Sequence, residues 1–312
     1  MSHRATLTVA SRGSALAQIQ TELVAGRLRK HRIGVEVEII DSDADRAPAA
    51  LIAELGEIGA FVRRVDTPVI DGVVDGAIHS MKDMPTEMPE DLCVAAVLPR
   101  GPAGDVLVTP GGDPLDALPQ GAVIGTGSLR RQAQVLAHED GLEVAPIRGN
   151  VDTRVQKLLA PTLTAERDRI SAEDGDLEAW EATLSATDRA ALAVEPPEPP
   201  FAGLILAAAG LDRLEITGQF GTVPLPRRRF IPAPAQGTIC LVMRQDHPDL
   251  ARVRRGVRDQ TTRGGAAVAR PGPPGGGGGG GGPPRGCAPV EGGCAGPGAG
   301  GGPPAGPASG GG

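Results

Sequence analysis

The sequence predicts an α/β protein with mostly parallel sheets. Two observations carry that expectation. Short apolar runs alternate with segments of helical period over residues 1–263, and charged side chains recur just after the apolar runs. A third observation limits it. Residues 264–312 hold half of the chain's 46 glycines, including eight in a row from Gly275 to Gly282. Such a segment cannot bury enough apolar surface to offset the entropy lost on ordering, so 264–312 is expected to be a low-complexity tail.

Thr6 to Ala10 reads as the first strand and runs into Ser11-Arg-Gly-Ser14. Ser14 is a good N-cap, and Leu16, Ile19, Leu23 and Val24 follow at helical spacing. Val35 to Ile40 is a second strand. Phe61 to Val74 is helical, with Pro68 as a kink or break. Gly76 to Met81 is a third strand, followed by Lys82 and Asp83. Asp105 to Thr109 starts a new set. Ala122 to Ile124 leads through Gly125-Thr-Gly-Ser-Leu-Arg-Arg131 into a helix ending near His138. Leu142 to Ile147 leads through Arg148-Gly-Asn-Val-Asp-Thr-Arg154 into another helix. Leu204 to Ala208 and Thr238 to Met243 are further strands. Ala160 to Pro200 is acidic, closes on Glu195-Pro-Pro-Glu-Pro-Pro200, and reads as a surface insertion with one helical piece around Leu177 to Leu192.

Composition removes several functions. A net charge of −7, 2% aromatic residues and no tyrosine argue against nucleic acid as the main partner. No apolar run approaches the length of a membrane span. The absence of a charged-then-apolar leader predicts a cytoplasmic location. Cys93, Cys240, Cys287 and Cys294 are scattered, which predicts neither a disulfide framework nor a metal site.

In α/β sheets, ligands sit beyond the carboxyl ends of the strands. Arg12, Lys82, Asp83, Ser128, Arg130, Arg131, Arg148 and Arg154 all fall at or just after predicted strand ends. Strand–loop–helix turns offer free N–H groups and a positive dipole end. Five arginines there suit a ligand with several carboxylates or phosphates. Taken singly, an arginine at a strand end is usually a solvated surface residue. Asp83 alone also reads as a turn residue ahead of Pro85, and His79 as a hydrogen-bonded core histidine. Adjacent strand residues point to opposite faces, so Lys82 and Asp83 are expected to find separate partners.

Six motifs occur in order: Val9–Ala17 (VASRGSALA), His79–Pro85 (HSMKDMP), Gly125–Gln132 (GTGSLRRQ), Arg148–Arg154 (RGNVDTR), Ala208–Leu214 (AAGLDRL) and Pro234–Gly237 (PAQG). Together they resemble the hydroxymethylbilane synthase, or porphobilinogen deaminase, family over about residues 5–263. The resemblance implies two domains like those of periplasmic binding proteins, with a hinge and a cleft, plus a small C-terminal α+β domain that is not recognisable here. Mapped onto the chain, domain 1 is about 1–100 with a return near 236–258. Domain 2 is 104–232 with the acidic insertion 160–200, and Pro232 and Pro234 mark the hinge. It also implies a transferase that joins four porphobilinogen molecules, with loss of ammonia, into the linear tetrapyrrole hydroxymethylbilane. The chain grows on a dipyrromethane cofactor held by a thioether to a cysteine.

By this resemblance Asp83 is the catalytic aspartate, an enclosed carboxylate that stabilises the cation left when ammonia departs. Lys82, Arg12, Ser14, Thr126, Ser128, Arg130 and Arg131 hold the cofactor. Arg148, Arg154, Arg213 and Phe61 contact substrate. Ile58 and Arg64 depart from the family's usual lysine and acidic residue. A monomer is expected. Cys93 and Cys240 lie on apolar strands and read as core residues. Gly292-Gly-Cys-Ala-Gly-Pro297 fits the family's cysteine loop and nominates Cys294, with Cys287 in reserve. The abrupt change of composition is what a shifted reading frame in a GC-rich gene would produce. Two alternatives therefore stand: an anion-binding protein without activity, and an inactive relative with a damaged C-terminal domain.

Overall fold

The computed structural model describes residues 6–40, 60–218 and 220–257. Its strands are β1 (Thr6–Arg12), β2 (Gly34–Ile40), β3 (Gly76–Ser80), β4 (Leu92–Val97), β5 (Asp105–Thr109), β6 (Val123–Gly125), β7 (Glu143–Ala145), β8 (Gly203–Ala207), β9 (Gly221–Pro224) and β10 (Ile239–Arg244). The helices are α1 (Ala15–Lys30), α2 (Ala60–Ile70), α3 (Leu129–His138), α4 (Val151–Ala172), α5 (Leu177–Thr183), α6 (Ala186–Ala191), α7 (Ala208–Arg213) and α8 (Leu250–Val257).

The strands form two five-stranded sheets, ordered β2-β1-β3-β10-β4 and β7-β6-β8-β5-β9. Each sheet is mostly parallel but mixed, with one strand running against the other four. β1 runs parallel to β2 and β3, but β10 is antiparallel to both β3 and β4. In the second sheet β6 is parallel to β7 and β8, while β5 is antiparallel to β8 and β9. The cause is connectivity. The chain leaves the first sheet after β4 and returns to it as β10, so each sheet receives its crossing strand from the far side.

The two crossovers, 98–104 and 225–238, are bonded to each other. Leu98 N–H donates to the Ile239 carbonyl at 3.0 Å and Gly101 N–H to the Gly237 carbonyl at 3.0 Å. The buried Gln236 side chain donates to the carbonyls of Ala103 at 2.9 Å and Gly104 at 3.1 Å. Gly237 has φ +86°, and a Cβ there would stand 2.7 Å from the Gly101 oxygen and 2.9 Å from that of Pro102. Gly237→Ala therefore meets both a left-handed backbone and a backbone clash. We expect it to cost roughly 2–3 kcal/mol, read as a lowered urea midpoint; an unchanged midpoint would contradict this account of the crossover.

Apolar packing covers both faces of each sheet. Leu7, Val9, Val24, Leu28, Leu241 and Val253 form one core of the first sheet, and Val65, Val69, Ala77 and Val242 another. Val108, Val155, Leu158 and Leu204 lie on one side of the second sheet, and Leu107, Ile124, Ile205 and Phe230 on the other. The inward stripe of α1 differs from the expected one: Gln20, Thr21, Val24, Ala25 and Leu28 are buried, while Leu23 is exposed. The stripe turns because Gln20 and Thr21 bond to serines at the strand ends, as described below.

Helix α2 ends at Ile70 rather than Val74, with Pro68 inside it; its close is a tight turn in which Gly72 takes φ +71°. Ala160 is where the surface insertion was expected to begin. It lies in the middle of α4, buried with Leu158 and Leu159, because the helix's apolar stripe continues past Arg154. The rest of 160–200 carries α5 and α6, and Ala191 of α6 is buried in the second sheet's core. β4, β9, α7 and α8 were absent from the elements expected on sequence. The tail 264–312 lies outside the described residues.

Candidate active site at the carboxyl ends of the two sheets

β3 stops at Ser80, and Met81–Asp83 form a turn of 3-10 helix. The alternation argument therefore does not apply to Lys82 and Asp83, because they do not lie on a strand. Among the described residues, neither Lys82 nor Asp83 makes a hydrogen bond or ion pair with a protein group, although the Asp83 charge acts on the Lys82 ammonium. Asp83 is solvent-exposed rather than enclosed, because the turn presents it outward.

Two buried polar residues of α1 brace this end of the sheet. Thr21 donates to Ser11 Oγ at 2.6 Å, beside Arg12, and Gln20 donates to Ser80 Oγ at 3.0 Å, just before the Lys82–Asp83 turn. His79 is buried against Asp66 of α2, with Nε2 2.8 Å from Oδ1. It is the hydrogen-bonded core histidine expected of it. Ser14 caps α1, accepting from Ala17 N–H at 3.3 Å.

In the second sheet, Thr126 is buried after β6 and its hydroxyl accepts from Ser128 N–H at 3.2 Å. Arg154 of α4 donates through Nε to the Gly149 carbonyl at 2.8 Å. Gly127 makes room for it: a Cβ there would stand 3.6 Å from both terminal nitrogens of Arg154 and 2.9 Å from the Ile147 oxygen. Arg148 is exposed.

Three arginines are more occupied by protein than the sequence suggested. Arg131 donates through NH2 to Asp105 Oδ1 at 2.7 Å and through NH1 to the Ile205 carbonyl at 3.0 Å. Arg130 pairs with Asp105 Oδ2 at 2.9 Å. Arg213 donates to the Gly237 carbonyl on the returning crossover at 2.5 Å. Asp105, at the start of β5, was not singled out on sequence.

Lys82, Asp83, Asp105, Arg131 and Arg154 lie within electrostatic reach of one another. Burial lowers the pKa of the Lys82 ammonium; Asp83 and Asp105 oppose that, and Arg131 and Arg154 add to it. Burial, then Arg131, also lowers the pKa of Arg154, against Asp83. With Arg130, four cations thus face two carboxylates. The buried Nε of Arg131 has no hydrogen-bond partner among the described residues. Cations in excess, crowded and incompletely paired, fit a group bearing several carboxylates.

Fold and site together define a two-sheet α/β protein with a cluster of cations beside the carboxyl ends of its parallel strands. The profile described as "Porphobilinogen deaminase, dipyromethane cofactor binding domain" matches residues 7–167 and 188–252. The chain belongs to the porphobilinogen deaminase family. It is 39% identical over 290 residues to "Probable porphobilinogen deaminase" of Halobacterium salinarum, covering 77% of this chain and 73% of that one. It is 34% identical over 264 residues to "Porphobilinogen deaminase" of Rubrobacter xylanophilus, covering 85% and 73%. Among solved structures, the L-cystine solute receptor of Neisseria gonorrhoeae aligns at 14% identity with a TM-score of 0.41, over 86% of this chain and 92% of that one.

Cys240 is buried in the core, with Sγ 3.2 Å from Met84 Sδ. Cys93 is partly buried, and burial raises its thiol pKa against the opposing charge and hydrogen bond of Arg254. Cys93 is therefore not set up as a thiolate. Cys287, Cys294, Ile58 and the side chain of Phe61 lie outside the described residues. No helix among the described residues is long and apolar enough to cross a membrane.

Proposed function

We infer that this protein joins porphobilinogen units head to tail with loss of ammonia, giving hydroxymethylbilane. The observation that supports this reading best is the apposition of an exposed, unpaired carboxylate, Asp83, with cations drawn from both sheets. Lys82, Arg154 and the Arg131 Nε hold ligand carboxylates. Bound dipyrromethane supplies the pyrrole carbon to which units are added. Asp83 faces the substrate's aminomethyl end, stabilises the positive charge that develops as the carbon–nitrogen bond breaks, and accepts hydrogen bonds from pyrrole N–H. A protein that only gripped an anion would gain nothing from Asp83, because a carboxylate there repels its ligand.

The test is ammonia release from porphobilinogen by the purified full chain, combined with its intact mass. We expect turnover and a mass above the polypeptide by one dipyrromethane, carried on Cys294. Cys294→Ser removes the added mass and the activity together. An active protein without added mass, or one unaffected by Cys294→Ser, refutes that cysteine and turns attention to Cys287. A folded protein with neither added mass nor ammonia release refutes the enzymatic reading in favour of an inactive relative.

A further inference from the structure

Asp105 stands where three parts of the molecule meet. Its side chain is 0% exposed. Oδ1 accepts from Arg131 at 2.7 Å and from Gln236 Nε2 at 2.8 Å, and Oδ2 faces Arg130 at 2.9 Å. Its own carbonyl accepts from Leu225 N–H at 3.0 Å, at the start of the returning crossover. Gln236 lies on that crossover and bonds also to Ala103 and Gly104 of the outgoing one. Arg130 further donates to the Ile231 carbonyl, and Gln134 Nε2 reaches the same oxygen at 3.1 Å. One carboxylate therefore touches the first turn of α3, where the arginine pair sits, and is tied to both connections between the sheets.

The charges need it. Two arginines in the first turn of a helix oppose its dipole, and Arg131 is 6% exposed, so water does little to offset its charge. With NH1 and NH2 each engaged by protein, the buried Nε–H of Arg131 is left without a hydrogen-bond partner among the described residues.

We propose that Asp105 is a positioning residue. It fixes the arginine pair at the anion site and, through Gln236, links their placement to the crossovers. A carboxylate bound at Arg131 thereby acts on the same carboxylate that holds the hinge. The identity of the bound anion rests on the functional reading above; the arrangement of side chains does not.

The test uses the full chain with 15N-labelled arginine, comparing wild type, Asp105→Asn and Asp105→Glu. Asparagine keeps the shape but removes the charge and turns an N–H₂ group toward a guanidinium. Glutamate keeps the charge but moves it by one methylene, so it serves if the asparagine variant does not fold. The Nε–Hε signal, assigned by its loss in Arg131→Lys, should show slow rotation in wild type. It should be averaged or displaced in both variants. Porphobilinogen affinity, titrated in an Asp83→Ala background to prevent turnover, should fall on the order of tenfold in both, the worth of one charge-assisted hydrogen bond. Unaltered Arg131 signals in the variants would overturn the proposal. So would an Asp105→Glu protein with displaced signals that binds as tightly as wild type, since charge alone would then suffice. A wild-type chain with fixed Arg131 signals and no affinity for porphobilinogen would sink the functional reading and leave the clasp standing.

Discussion

Asp83→Ala is expected to lower porphobilinogen consumption by roughly 10³-fold or more, the scale associated with removing a principal electrostatic or proton-transferring group. The fold should hardly notice. Asp83 is exposed, lies on a three-residue turn, and makes no hydrogen bond or ion pair with a protein group among the described residues. Its loss should fall within about 0.5 kcal/mol of neutral, so the unfolding midpoint should move by no more than about 2 °C. Ammonia release from wild type and variant, beside their thermal melts, checks both halves. A folded variant that still consumes porphobilinogen at a tenth of the wild-type rate, or faster, would remove Asp83 from the chemistry. Asp83→Glu should recover only part of the rate, because the added methylene displaces the charge from the reacting carbon.

Asp105→Ala should do the opposite, acting on the fold first. It leaves Arg131 and Arg130 facing a buried hole, and breaking such a pair from one side costs about 3–5 kcal/mol. That corresponds to a midpoint lowered by roughly 10 °C or more near neutral pH. The acid limb gives a sharper test. Burial alone would raise the Asp105 pKa, but the hydrogen bond and charge of Arg131, then Gln236 and Arg130, outweigh it and hold the carboxyl below its usual value. The folded protein therefore keeps Asp105 ionised after the unfolded chain has taken up its proton. The stability it contributes is complete above the unfolded value of about 4 and is lost as pH falls through the lower folded value. The gap between wild type and Asp105→Ala should thus be constant from pH 7 to about 5 and narrow as pH falls below about 4. A gap that does not change over that range would mean that the carboxylate's charge is not what stabilises this junction.

Much of the framework was legible because local chemistry and tertiary placement agree. β1, β5 and β8 appear within a residue or two of their expected bounds, since short apolar runs with helix signals after them have few other ways to fold. Ser14 caps α1 because a serine before a helical stripe satisfies orphan N–H groups wherever the helix packs. Lys82 and Asp83 were singled out on a strand-alternation argument that does not apply, because they lie on a 3-10 turn. Gln20 and Thr21 were missed although they left a signal: polar residues where the α1 stripe should be apolar, facing serines at two strand ends.

By itself the sequence determined the α/β class, most of the elements in their order, the family and the collection of cations at strand ends. These follow from hydrophobic period and from motifs read within a dozen residues. Only the tertiary structure decided that each sheet is mixed, and with it the place of Asp105. A search of strand carboxyl ends passes over Asp105, because it begins β5. Yet β5 runs antiparallel to β8, with Asp105 opposite Ala207, so its amino end lies beside the carboxyl ends of the parallel strands. Gln236 reaches the same point because β10 enters the first sheet antiparallel, with Ile239 opposite Ser80. Strand direction depends on which sheet the chain has crossed into. That is set by pairings between residues more than a hundred positions apart, which no local pattern records.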